Sequence, residues 1–135
     1  MKKLDPEVRQ NLINLGSDVR QRAYARYSGY HVGAALLAKS GKIYTGVNIE
    51  NAAYPLTICA ERTAVFKAVS EGELEFEAIS VVTENGGTPC GSCRQVLAEF
   101  GLDIVVYIAD GEGNLLQETT VRELLPGAFG PEKLP

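Results

Sequence analysis

VGAALLAKSGKIYTGVNIENAAYPLTICAERTAVFKAVSEG, residues 32–72, carries the pattern on which the fold turns. Two strand-like runs, Val32–Lys39 and Lys42–Glu50, are separated by Ser40-Gly41, which suits a two-residue hairpin turn. The second run alternates. Ile43, Thr45, Val47 and Ile49 share one face, and Tyr44, Gly46, Asn48 and Glu50 share the other. Two polar side chains, Asn48 and Glu50, therefore project side by side. Pro55 interrupts the chain, and a helix is expected from about Cys59 to Glu71, with Ala64, Val65, Ala68 and Val69 as its buried stripe and Gly72 as its stop.

The flanks extend the same plan. Upstream, Val8, Leu12, Leu15, Val19 and Ala23 recur at helical spacing between Asp5, an N-cap, and Ala25, with Pro6 at the first helical position. Downstream, a strand is expected at Ala78–Thr83 and a helix at Gly91–Phe100. Ile104–Ala109 is almost continuously apolar, as a strand covered on both faces would be. A short strand near Leu115–Glu118 and a small helix opened by the capping box Thr120–Glu123 complete the order. Hairpin first and helical crossovers later imply an α/β fold: a three-layer α/β/α arrangement with a mixed central sheet of about five strands, in one domain over residues 1–135.

Composition narrows the function. The 135 residues hold 13 Lys and Arg against 17 Asp and Glu, a net charge of -4. That balance argues against a protein that grips a phosphate backbone, so no nucleic-acid partner is expected. The longest apolar stretch, Val32–Ala38, falls far short of the roughly 18 residues of a membrane span. MKKLDPEVRQN lacks the apolar core of a secretory signal, so no membrane association and a cytoplasmic location are expected. Three cysteines and one histidine remain to be explained, and an odd cysteine count argues against a disulfide framework.

All three cysteines sit at two expected helix starts, Cys59 in Cys-Ala-Glu-Arg and Cys90 and Cys93 in Pro-Cys-Gly-Ser-Cys. A helix N-terminus favours a thiolate by roughly 0.3–1 kcal/mol. Side by side, the two starts would present three thiolates to one ion, for which Zn2+ is the natural guest. A redox pair, buried inert thiols and a structural zinc site compete with this reading. A structural site requires a fourth protein ligand, for which His31 is the one histidine available. Without it, three ligands leave a position for water, as in a catalytic centre. Glu61 could then carry protons if Cys59 caps the helix rather than lying within it. Arg62, three residues after Cys59, could donate to the thiolates and offset their charge.

These residues resemble a known family. The zinc nucleobase deaminases carry His or Cys, any residue, Glu, and later Pro-Cys-x-x-Cys. With Cys in the first place the chain resembles the small, homotetrameric, three-cysteine cytidine deaminases. The likeness lies in YSGYHVGAALL, GVNIENAAYPLTICAERTAVFKAVSEG, PCGSCRQVLAEFG and ELLPGAFGP, spread over about residues 24–131. The resemblance implies a cytidine deaminase-like fold with one zinc per chain on Cys59, Cys90 and Cys93. It implies hydrolytic deamination of cytidine and 2'-deoxycytidine, a reaction of pyrimidine salvage, with Glu61 moving protons from water to ring N3 and to the leaving amine. It also implies that Asn48 and Glu50 hold the ribose hydroxyls, and that Tyr54 and the Ala60 backbone line the nucleoside pocket. Tyr30 would face the base, and Phe129 would complete the site of a neighbouring subunit. Two positions depart from the family's common pattern: Arg26 stands where Pro is usual, and Tyr30 where Phe is usual. The added hydroxyl of Tyr30 needs a partner or water. Deamination of another small cytosine compound such as blasticidin S, or a non-catalytic zinc module, are the rival readings.

Overall fold

The computed structural model describes residues 4–134. Helix α1 (Pro6–Arg20) opens where expected: the Asp5 carboxylate accepts the Glu7 N–H at 2.8 Å, and proline fills the first turn. It ends at Arg20 rather than near Ala25, because the following segment leaves to pair elsewhere. Tyr24 forms a parallel bridge with Ile49, donating its N–H to the Asn48 carbonyl and accepting that of Glu50, each at 2.9 Å.

A hairpin follows, β1 (Gly33–Ala38) and β2 (Ile43–Val47), turning at Ser40-Gly41. Gly41 has φ +97°, which is why glycine suits the turn. Helix α2 (Ala60–Ser70) leads to β3 (Phe76–Val82), and α3 (Gly91–Phe100) to β4 (Val105–Ala109). Strand β5 (Leu115–Thr120) and the short α4 (Val121–Leu124) follow. The Thr120 hydroxyl accepts the Glu123 N–H at 3.2 Å, the capping contact that its motif implied.

The five strands form one sheet in the order β2-β1-β3-β4-β5. Only β3 and β4 run parallel, joined through α3; the other pairs are antiparallel. The two-residue period of the strands splits the core into layers. Leu12 and Ile13 of α1 pack on Ala35, Ala78, Val82 and Tyr107. On the opposite face, Ala64 and Val65 of α2 and Leu97 of α3 pack with Leu36, Ile79 and Val106. The architecture is a three-layer α/β/α sandwich around a mixed sheet. Among the described residues no helix is long and apolar enough to cross a membrane.

The buried seam of α1 is rotated from the one its spacing suggested. Leu12, Ile13 and Gly16 are buried, whereas Leu15 and Val19 are only partly covered. The cause is close approach at Gly16: a Cβ there would lie 2.9 Å from Ser80 Oγ and from a Val82 methyl. Ser80 in turn donates its hydroxyl to the Leu12 carbonyl at 2.7 Å. Helix α2 approaches β2 just as tightly. A Cβ on Gly46 would lie 2.5 Å from the Ala64 nitrogen and press on the Ala60 carbonyl, while Thr63 donates its hydroxyl to the Val47 carbonyl at 3.0 Å.

This contact seats the first turn of α2. Gly46→Ala is therefore expected to lower stability by about 2 kcal/mol through overpacking. Urea unfolding of both proteins measures it, and an unchanged midpoint would show that α2 does not rest on this strand.

Candidate active site

One end of the sheet gathers everything that the sequence marked as chemical. Gly33, at the start of β1, is in register with Val47 at the end of β2 and with Val82 at the end of β3. The lead-in to β1 and the C-terminal ends of β2 and β3 therefore lie together. The N-termini of α2 and α3 open over the same end.

Cys59 caps α2 with an extended backbone (φ -75°, ψ 155°), and Cys90 caps α3 in the same way (φ -66°, ψ 168°). Neither side chain caps its helix, so both sulfurs are free to point elsewhere. Cys59 Sγ lies 3.8 Å from Cys90 Sγ, which lies 3.5 Å from the buried Cys93 Sγ, and all three fall within 4.8 Å of one another. Sulfurs at about 2.3 Å from a tetrahedral Zn2+ would be about 3.8 Å apart, so the set fits the ion. Three soft donors with a fourth position to spare match an open centre rather than a closed structural one. His31 does not belong to the cluster. Its carbonyl instead accepts from Arg20 Nε at 2.9 Å.

The electrostatics follow from the cap geometry. A hydrogen bond from the Cys93 thiol, together with Arg62, holds the Cys59 thiol down to about 5 against the cost of burial. Cys93 is pushed up by that same bond and by desolvation. Of these two, Cys59 is the one that favours the thiolate. Arg62 Nη2 donates to Cys59 Sγ at 3.3 Å, the charge compensation that its spacing suggested. Glu61, one position into α2, is only 5% exposed. Burial pushes its carboxyl up to about 7, and the nearby Cys59 charge adds to that rise.

Cys59, Cys90 and Glu61 line a cavity of about 280 Å³ together with Tyr30, Asn48, Glu50 and Ala60. Regular strand ends at Val47, yet Asn48 and Glu50 still reach the same cavity. The chain stays extended because Ile49 bridges Tyr24 on one side and Ile58 on the other. Asn48 is buried and fixed at both ends of its amide: Oδ1 accepts the Val32 N–H at 3.0 Å, and Nδ2 donates to the Tyr30 carbonyl at 2.8 Å. The Glu50 carboxylate accepts the N–H groups of Tyr27 and Ser28 at 2.9 and 3.0 Å, and the Ser28 hydroxyl. Those Ser28 bonds hold its carboxyl below the usual range, so it stays ionised.

Tyr54 stands outside this cavity, and Phe129, expected at a neighbouring subunit's site, lies on the surface of the chain. Tyr54 is 71% exposed, with its ring edge-on to Tyr27 in an adjoining cleft. Phe129 is 55% exposed, and its carbonyl accepts from Gln95 Nε2 at 2.9 Å. Arg26 also stands outside it, its guanidinium over the Tyr27 ring at 5.3 Å.

Sequence reasoning missed three supporting residues. Ser28 orients Glu50. Thr83, buried at the end of β3, accepts the N–H groups of Gly86 and Gly87 at 2.7 and 2.8 Å. Arg94 donates to the Pro89 and Leu124 carbonyls at 2.7 Å each and to the Thr88 hydroxyl at 3.1 Å, tying the segment before Cys90 to the end of α4. One signal was available for Arg94. It adjoins Cys93, and no carboxylate stands three or four residues away on its own helix.

The donor set gives a direct test. Protein purified under reducing conditions is expected to carry about one zinc per chain by elemental analysis, and Cys90→Ser to lose most of it. His31→Ala is expected to keep it, and loss of zinc in that variant would return His31 to the ligand set.

Comparison with known proteins agrees with this geometry. Residues 6–109 match the family model described as cytidine and deoxycytidylate deaminase zinc-binding region. A cytidine deaminase of Sporosarcina psychrophila is 52% identical over 128 residues, covering 93% of each chain. One from Halalkalibacterium halodurans is 53% identical over 129 residues, covering 93% of this chain and 97% of its own. The crystal structure of cytidine deaminase from Burkholderia pseudomallei superposes with a TM-score of 0.85 at 42% identity, covering 93% of this chain and 100% of that one. With the three sulfurs, the buried carboxylate and the extended match in agreement, the chain belongs to the cytidine and deoxycytidylate deaminase family of zinc enzymes.

Proposed function

We propose that this domain hydrolyses cytidine and 2'-deoxycytidine to uridine and 2'-deoxyuridine with release of ammonia. One observation carries the reading: Cys59 and Cys90 of the three-cysteine cluster and the buried Glu61 share a cavity with Asn48 and Glu50. The volume, about 280 Å³, is near the lower end for small-molecule sites and suits a single nucleoside.

Cys59, Cys90 and Cys93 would hold a zinc ion, which would supply Lewis acidity for the attacking water. The chain's own residues do the rest. Glu61 is placed to carry a proton from the attacking water to ring N3 and a second proton to the departing amine. Its buried position favours a carboxylate that exchanges protons readily near neutrality. Arg62 offsets the charge that three thiolates bring, which would otherwise weaken the metal as an acid. Glu50, kept ionised by Ser28, accepts from the ribose hydroxyls, and Asn48 offers the donor and acceptor capacity left after its backbone bonds. The Ala60 backbone and the Tyr30 ring bound the base.

Tyr54 and Phe129 face a neighbouring subunit in this reading. Both rings are exposed in the single chain, and Ile49, Leu56 and Phe66 leave an apolar face beside α2. A homotetramer in which Phe129 closes a neighbour's site would cover such rings. Three free thiols suit the reducing cytoplasm.

Glu61→Gln is expected to retain zinc while kcat for cytidine falls by about 10³-fold or more. A spectrophotometric assay with cytidine, deoxycytidine, cytosine and adenosine, run with and without a chelator, checks substrate and metal together. Near-normal turnover in the variant would overturn the role of Glu61. In sedimentation, Phe129→Ala should keep the assembled mass yet raise KM, and a fully active wild-type monomer would overturn the shared site.

A further inference from the structure

Tyr30 lines the cavity, and its hydroxyl has found a partner outside it. Tyr30 Oη donates to Asn85 Oδ1 at 2.7 Å. The Tyr30 backbone is already fixed: its N–H donates to Ser28 Oγ at 3.0 Å and its carbonyl accepts from Asn48 Nδ2 at 2.8 Å. The ring thus belongs to the wall that holds Asn48 and Glu50. Asn85 lies in the turn that leaves β3 at Thr83 and runs to Cys90, a turn whose Gly87 and Thr88 line the cavity.

That turn is built to receive the hydroxyl. Thr83 Oγ1 gathers the N–H groups of Gly86 and Gly87, which folds the turn back over the end of β3. A Cβ on Gly87 would stand 2.5 Å from Tyr30 Oη, so a side chain there would displace the ring tip. Gly86 has φ +79°, a conformation that glycine adopts freely. A phenylalanine at position 30 would fill the same space and make no bond. Asn85 is exposed and does not line the cavity, so any influence it has on a bound nucleoside must pass through Tyr30 or through the turn.

We propose that the Tyr30–Asn85 hydrogen bond is a positioning pair for nucleoside binding, latching the turn before Cys90 to the wall that carries Asn48 and Glu50. The proposal rests on the nucleoside reading above. The latch keeps the two walls at fixed separation, so the base meets a formed slot instead of ordering the turn as it binds. Its effect falls on binding more than on the chemical step, because the bonds of Tyr30 go to Ser28, Asn48 and Asn85 and not to Glu61.

The zinc-loaded enzyme tests this with Tyr30→Phe, Asn85→Ala and the double variant, read by KM and kcat for cytidine and by amide hydrogen exchange over residues 84–90. Each single change should raise KM about three- to tenfold, in line with loss of one neutral hydrogen bond, with a smaller fall in kcat. The double variant should match the singles rather than multiply them. Exchange over 84–90 should rise in all three, and Asn85→Asp, which keeps an acceptor, should stay near the wild-type KM. Multiplying effects, or an unchanged KM in Asn85→Ala, would overturn the pair as a determinant of binding. Unchanged exchange would overturn the latch itself. Wild-type protein without cytidine turnover would instead overturn the nucleoside reading, while the exchange data still judged the latch.

Discussion

Three sulfur atoms within 4.8 Å of one another set the terms for the rest of the molecule. Thiols so close cannot all ionise without an opposing charge, and the fold supplies it in several parts. Two helices begin at the cluster and direct their unbonded N–H groups and positive dipole ends toward it. Arg62 adds a full charge at 3.3 Å from Cys59. A divalent cation supplies the remainder and converts the repulsion into ligation. The close approach of α2 to Gly46 seats one of those helix starts against β2.

The polar half of the cavity obeys a different constraint. Buried polar groups must be hydrogen-bonded. Asn48 satisfies this with two backbone bonds across the lead-in to β1, and Glu50 with three donors from Tyr27 and Ser28. These bonds make the side chains rigid while leaving lone pairs for a ligand. The short parallel bridge at Tyr24 matters for the same reason, since it carries Tyr27 and Ser28 over Glu50. The early end of α1 is thus tied to the construction of the site.

Much of this was legible beforehand because it depends on local rules. The hairpin at Ser40-Gly41, the cap at Asp5 and the capping box at Thr120 follow from turn and cap chemistry within a few residues. The extended caps at Cys59 and Cys90 explain how Cys59 and Glu61, two apart, can share a cavity that a regular helix would deny them. Contacts between distant segments were less legible. The rotation of α1 onto Ile13 and Gly16 comes from the fit against Ser80 and Val82, and spacing alone cannot express that fit. Ser28, Thr83 and Arg94 act on partners that the chain order does not indicate.

The residues alone determined the chemistry that is possible: three thiolates for one ion, a carboxylate beside them, and a polar pair on an extended run. They determined it because ligand type, helix capping and strand alternation are short-range properties. Tertiary structure decided which of these groups share a cavity. It excluded His31 from the cluster and left Tyr54 and Phe129 on the surface of the single chain. It also gave the Tyr30 hydroxyl its partner 55 residues away. Such placements depend on how helices and strands pack and on which buried polar atoms must be satisfied, and both are set by the whole chain at once.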